Sequence, residues 1–135
     1  MAHYADKVVV ITGASQGIGR ALCLELAPQR PRLVLAARDE DALEAAASAC
    51  RERGARTLVV PTDVTDEGAC RHLVTRTVDE LGALDVLVNN AGIGMISRLD
   101  EVEDLSIYDR LMRVNFLGSV YPTAVSLPHL RKSRG

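Results

Sequence analysis

The sequence lacks any strong excess of charge of one sign and any long apolar run. Its net charge is -2 with 25% charged residues, so no basic surface of the kind that binds nucleic acid is expected. No apolar run approaches the length of a membrane span, and residues 1–7 contain no apolar segment like that of a signal peptide. These absences leave an ordinary globular protein, for which we expect a cytoplasmic location and no association with nucleic acid or membrane.

Cysteine and histidine are also scarce and scattered. The three cysteines, Cys23, Cys50 and Cys70, fall in separate predicted helices and lack the spacing of metal ligands. We interpret them as small apolar core residues of a protein in a reducing compartment. The three histidines are isolated as well, so the sequence predicts no metal site.

Strand and helix patterns alternate along the 135 residues, a length typical of one domain. Short apolar runs predict buried strands at residues 8–11, 33–37, 57–60 and 84–88. Apolar positions at helical spacing lie between and after these runs, and Pro122 should kink or split the last helix. The alternation predicts an α/β fold, a doubly wound parallel sheet of the Rossmann type.

Residues 11–20 form the most informative stretch, a glycine-rich turn between the first strand and a helix predicted at 21–26. Gly13 can take the tight turn, Gly17 lets a pyrophosphate approach the backbone, and Gly19 lets the helix lie close to the strand. Free N–H groups and the positive end of the helix dipole favour a phosphate at such a turn. The alternative is a glycine-rich loop that binds nothing.

Arg38 follows the second predicted strand, where folds of this kind select between nicotinamide cofactors. A guanidinium there suits the 2′-phosphate of NADP, whereas an acidic residue binds the ribose of NAD. Asp39 is the acidic alternative, but it is well placed to cap the next helix. The sequence therefore favours NADP(H) over NAD(H), although Ser15 and Gln16 add no second positive charge.

Three further positions each have a functional and a plain interpretation. Asp63, after the third strand, could accept a hydrogen bond from adenine or be a solvated turn residue. The Asn-Asn-Ala-Gly segment at 89–92 could tie strand ends together and admit a ribose, or be a simple turn. Asn115, beside the apolar face of the last helix, could bond another helix, which the pattern favours, or hold a water at a bend.

Four motifs in this order resemble those of the short-chain dehydrogenase/reductase family. They are Thr-Gly-x-x-x-Gly-x-Gly at 12–19, Asp-Val at 63–64, Asn-Asn-Ala-Gly at 89–92 and Val-Asn at 114–115. The resemblance implies hydride transfer between NADP(H) and an alcohol or carbonyl substrate, with Asn115 helping to position a water in a proton relay. The cofactor-binding residues it implies are Gly13, Ser15, Gln16, Gly17, Ile18, Gly19, Arg38, Asp63, Val64, Asn90, Ala91 and Gly92.

One pattern of the family does not occur here. The family's catalytic serine follows a fifth strand, its Tyr-x-x-x-Lys pair comes later, and no Tyr-x-x-x-Lys occurs in this sequence. We therefore expect residues 1–135 to form a dinucleotide-binding domain with strand order 3-2-1-4, cut short before the fifth strand and inactive alone. The complete enzyme is expected to form a homo-oligomer. The alternative is a non-catalytic nucleotide-binding module.

Overall fold

A computed structural model describes residues 2–135. Four parallel strands form one sheet in the order β3-β2-β1-β4, which confirms the predicted doubly wound α/β fold. The strands are β1 (Val8–Thr12), β2 (Arg32–Ala37), β3 (Arg56–Pro61) and β4 (Val86–Val88). The helices are α1 (Gly17–Leu26), α2 (Glu40–Glu52), α3 (Glu67–Leu81), α4 (Ser106–Met112) and α5 (Gly118–Ser133).

Strand β1 lies inside the sheet, between β2 and β4, and is buried on both faces. All of Val8–Thr12 is buried. Val9 and Ile11 pack in the core that the sheet forms with α1 and α2, and Val8 and Val10 pack in the core on the opposite face, with α3 and α5. A parallel strand buried on both faces needs a continuous apolar run, which is the pattern that predicted it.

Aspartates begin two of the helices that cover the sheet. The Asp39 carboxylate accepts a hydrogen bond from the N–H of Ala42 at 3.0 Å, and that of Asp66 accepts one from Ala69 at 3.2 Å. Each satisfies an N–H group that the first turn of a helix leaves without a partner. Asp39 therefore has the capping role predicted for it, and Gly82 ends α3 in the left-handed conformation, with φ at 80°.

The last helix is not split at Pro122. The interruption is a π-helical turn, Arg113–Leu117, and Pro122 lies inside the continuous helix α5. Because α5 begins at Gly118, Pro122 is only its fifth residue. The missing N–H removes the bond that this position would otherwise donate to the Gly118 carbonyl, and the helix continues past it to Ser133.

Strand β4 is shorter than predicted, since only Val86–Val88 pairs with β1. Asp85 precedes it and makes two hydrogen bonds with the backbone of Val8. Its N–H donates to the Val8 carbonyl at 3.0 Å, and its carboxylate accepts from the Val8 N–H at 2.8 Å. The side chain thus takes one place in the ladder that a backbone carbonyl would otherwise fill. Within residues 2–135, no helix is long and apolar enough to cross a membrane.

Candidate functional site

The loops that follow the four strands enclose a cleft of about 750 Å³. It lies at the carboxyl ends of the parallel strands, where open α/β sheets bind their ligands. Neither Gly19, which is buried, nor Asn115 lines the cleft, although Val114 does. The cleft brings together the other cofactor-binding residues that were predicted: Gly13, Ser15, Gln16, Gly17, Ile18, Arg38, Asp63, Val64, Asn90, Ala91 and Gly92.

The turn after β1 needs glycine at Gly13 and Gly17 for different reasons. Both have positive φ angles, 65° and 56°, which residues with a Cβ rarely adopt. A Cβ on Gly13 would lie 2.8 Å from Nδ2 of Asn90, whereas a Cβ on Gly17 would meet nothing within 4 Å. Gly13 therefore permits close packing, and Gly17 leaves bare backbone beside open space.

Helix α1 begins at Gly17 without a side-chain cap. Gln16 precedes it in an extended conformation and makes no capping hydrogen bond. The first N–H groups of a helix have no partner within it, and the helix dipole makes this end positive. Ile18, in the same turn, is 80% exposed. This uncapped helix end at the cleft is chemically suited to an anion such as a phosphate.

Thr12 connects β1 to the loop after β4, a role that the sequence analysis missed. The buried Thr12 Oγ1 accepts hydrogen bonds from the N–H groups of Asn90 and Ala91, both at 3.0 Å. Asn90 Nδ2 donates in return to the carbonyls of Thr12 at 3.1 Å and Gly13 at 3.2 Å. The expected tie between strand ends is therefore present. A hydroxyl at the end of a wholly apolar strand was the available signal.

Two asparagines attach the sheet to the last helices. Asn115 Oδ1 accepts from the N–H of Ile93 at 2.9 Å, and its Nδ2 donates to the Ile93 carbonyl at 2.8 Å. The favoured prediction that Asn115 bonds another helix is therefore wrong, because its side-chain amide bonds the loop residue Ile93. One hydrogen of the amide remains free to donate. Asn89 Nδ2 donates to Thr123 Oγ1 on α5 at 2.9 Å. These bonds fix the π-helical turn and α5 beside the cleft.

Arg38 presents a free guanidinium at the cleft. Its side chain is exposed and makes no hydrogen bond or ion pair with another residue of 2–135. The carboxylate of Asp39 beside it is engaged in the cap of α2. A free cation next to an engaged acid makes this part of the cleft favourable to an added negative charge.

Asp63 is a turn residue whose side chain also lies at the cleft. Its Oδ1 accepts from the Thr65 hydroxyl at 2.7 Å and from the Thr65 N–H at 3.0 Å. These bonds, with a smaller effect from the charge of Arg38, lower the pKa of Asp63. Within the described chain its Oδ2 has no partner. The residue is therefore both a turn former and an exposed acceptor in the cleft.

The environments of the three cysteines shift their pKa values in different directions, with that of Cys50 lowered by a hydrogen bond with Cys23 and by nearby arginines. All three are buried and free of disulfide bonds. Burial raises the pKa of Cys70 to about 11, and its thiol donates to the Val64 carbonyl at 3.6 Å. A hydrogen bond with Cys50, together with burial, raises the pKa of Cys23. Across residues 2–135 there is no cluster of three side chains able to hold a metal ion.

The parallel sheet and the glycine turn after its first strand define an α/β fold of the Rossmann type. The chain belongs to the short-chain dehydrogenase family, since the model of that family, described as short chain dehydrogenase, matches residues 7–135. This confirms the resemblance seen in the four motifs. Members of the family are oxidoreductases that bind a nicotinamide cofactor.

Individual relatives extend beyond the matched region. An 11-beta-hydroxysteroid dehydrogenase A from Sesamum indicum is 49% identical over 132 residues, which cover 97% of this chain and 38% of that protein. An alcohol dehydrogenase from the archaeon Thermococcus sibiricus, complexed with 5-hydroxy-NADP, has a TM-score of 0.90 and 34% identity. The match covers 96% of this chain and 55% of that one.

A second solved structure has a similar fold and a similar level of sequence identity. It is the NADH-dependent reductase A1-R′ responsible for alginate metabolism, with a TM-score of 0.85 and 32% identity. That match covers 98% of this chain and 55% of the reductase. The chain thus spans about half the length of these structures, and less than half that of the curated relative.

Proposed function

We propose that the protein acts as an NADP(H)-dependent oxidoreductase that transfers hydride between nicotinamide and an alcohol or carbonyl substrate. The observation that carries this proposal is the free guanidinium of Arg38 in the cleft that also contains the glycine turn. Family membership supports the reaction type. The arginine supports the choice of cofactor.

The cleft offers a suitable group for each charged part of the cofactor. The uncapped start of α1 at Gly17 suits the pyrophosphate, and the open space above Gly17 allows close approach to the backbone. Arg38 suits the 2′-phosphate, because a guanidinium can donate two parallel hydrogen bonds to it. When bound, the nicotinamide supplies the hydride chemistry itself.

The remaining residues would hold the uncharged parts. The free Oδ2 of Asp63 can accept from the adenine amino group, and Val64 beside it is apolar. Asn90 and Ala91, which Thr12 holds against the end of β1, would form the wall next to the second ribose. This division places adenine and nicotinamide on opposite sides of the glycine turn, as expected at a switch point between β1 and β4.

The preference for NADP rests on residues of this chain. One similar structure contains 5-hydroxy-NADP and another is an NADH-dependent reductase, so likeness alone does not select the cofactor. Here Asp39, the acid that would bind the ribose of NAD, has one carboxylate oxygen engaged in the cap of α2. Arg38 has no carboxylate within ion-pair distance among residues 2–135.

Calorimetric titration with NADP and NAD tests the cofactor assignment. We expect NADP to bind more tightly, and Arg38→Ala to reduce the ratio of the two affinities by about tenfold to a hundredfold, the value of one charged hydrogen-bonded contact. Arg56→Ala is the control, because Arg56 is exposed at the opposite end of the sheet. Equal affinities for both cofactors before and after Arg38→Ala would refute the assignment.

Turnover is proposed to need groups other than those of residues 1–135. The sequence contains no Tyr-x-x-x-Lys, and a positioned acid contributes about 10²- to 10⁴-fold to a rate. A chain of these residues alone should bind nucleotide without oxidising NADPH in the presence of ketones, measured by absorbance. The same absence supports the second candidate, a non-catalytic nucleotide-binding module. Sustained oxidation by the pure chain would exclude that module and the proposed need for other groups.

A further inference from the structure

Arg110 is a second free guanidinium in the same cleft, and the sequence analysis did not include it. It is exposed on α4 and lines the cleft together with Val114, one turn further along. Across residues 2–135 its side chain makes no hydrogen bond or ion pair. Arg110 therefore adds to the cleft a second positive charge, which Ser15 and Gln16 do not supply.

Arg110 has no acidic residue at helical spacing, since the positions three and four residues away carry Ser106, Ile107, Arg113 and Val114. The carboxylate of Asp109 accepts from Nε of Arg113 at 2.7 Å, one turn along the helix. Asp109 is thus engaged with an arginine that does not line the cleft. Two arginines three residues apart therefore differ in environment, since one is paired outside the cleft and the other is unpaired within it.

Two contacts, one to Ile93 and one to Val64, fix the position of the α4 side of the cleft. Asn115 holds the π-helical turn to Ile93 through both of its side-chain groups. Gly118 packs so closely on Val64 that a Cβ there would lie 2.7 Å from Val64 Cγ2. The wall that carries Val114 and Arg110 is therefore adjacent to the loop after β3.

We propose that Arg110 lies over the adenine ring of the bound nucleotide and holds it through a cation–π contact, an inference that rests on the proposed function. Val64 and Val114 give the same wall an apolar surface that suits a flat ring, and a guanidinium stacks readily on such a ring. The phosphates are assigned to the start of α1 and to Arg38, which belong to other walls. Arg110 is thus a binding residue for the base.

The test compares Arg110→Met with Arg113→Met in the intact natural protein. Both substitutions remove one exposed positive charge and keep most of the side-chain length, but only Arg110 lines the cleft. Dissociation constants are measured for NADP and NAD by calorimetry, and for adenosine by ligand-observed NMR. Arg110→Met should weaken all three by roughly threefold to thirtyfold and leave the NADP/NAD ratio unchanged. Arg113→Met should change none of them.

Each other outcome overturns the proposal in a specific way. A loss confined to NADP would place Arg110 on the 2′-phosphate, and a loss for both dinucleotides but not for uncharged adenosine would place it on another phosphate. Equal losses in both variants would indicate only the general charge of the surface. If the unmodified protein bound adenosine but neither dinucleotide, the proposed function would fail, and the adenosine data would still decide the role of Arg110.

Discussion

Replacing Thr12 by valine should destabilise the protein far more than the same replacement at Thr77. Both threonines are fully buried, and valine has nearly the same shape as threonine, so neither change leaves a large cavity. The hydroxyls differ in what depends on them. That of Thr12 is the acceptor for two backbone N–H groups, whereas that of Thr77 only donates to the Leu73 carbonyl at 2.8 Å.

The expected magnitudes follow from the groups left without partners. Thr12→Val leaves the partly buried N–H of Ala91 without its acceptor, whereas the Asn90 N–H keeps a second acceptor, the Val88 carbonyl at 3.1 Å. An unsatisfied buried group costs about 1–3 kcal/mol, so we expect a loss of about 1–3 kcal/mol. The Leu73 carbonyl keeps its bond within α3, so Thr77→Val should cost less than about 1 kcal/mol.

Urea and thermal denaturation of the two variants measure this difference. A loss of about 2 kcal/mol is a sizeable part of a typical stability of about 5–15 kcal/mol and lowers the Tm by roughly 8 °C. Thr12→Ser keeps the acceptor and should recover most of the loss. Equal destabilisation by Thr12→Val and Thr77→Val, or no rescue by serine, would refute the idea that these two hydrogen bonds hold the loop after β4.

Two further predictions concern the cleft and the cysteines. Gly17→Val should abolish NADP binding in calorimetry, because the side chain fills the space assigned to the pyrophosphate. Gly82→Val, also at a positive φ with nothing within 4 Å, should retain binding, and equal affinities in both would contradict the phosphate assignment. The Cys70 thiol should resist alkylation at pH 8 unless urea is added, because its pKa is raised to about 11. Its contribution to stability is present below its ordinary pKa of 9.0 and is lost as the pH rises through the folded value. Rapid alkylation of the folded protein would contradict this.

The sheet and its caps could be predicted because their signals are local. The apolar run of Val8–Thr12 predicts a strand buried on both faces, and Asp39 and Gly82 occupy positions where single residues begin or end helices. Strand order followed from the resemblance to a family. Each of these features depends on residues close together in sequence or on a known topology.

The features that were missed depend on contacts between distant segments. The role of Thr12 requires the loop 78 residues later, and the interruption of the last helix occurs where Asn115 binds Ile93 rather than at the nearby Pro122. Arg110 enters the cleft only because that turn is fixed in place, and nothing near it in sequence indicates a nucleotide. Such long-range contacts have no periodicity or spacing by which one sequence could reveal them.

The most direct test of the central claim is a crystal structure of the intact protein with NADP. The account predicts the pyrophosphate at the start of α1 beside Gly17 and the 2′-phosphate within hydrogen-bond distance of Arg38. It also predicts adenine against the wall that carries Val64, Val114 and Arg110, with the guanidinium of Arg110 on the ring. A cofactor bound outside this cleft, or one bound within it with the 2′-phosphate away from Arg38, would contradict the account.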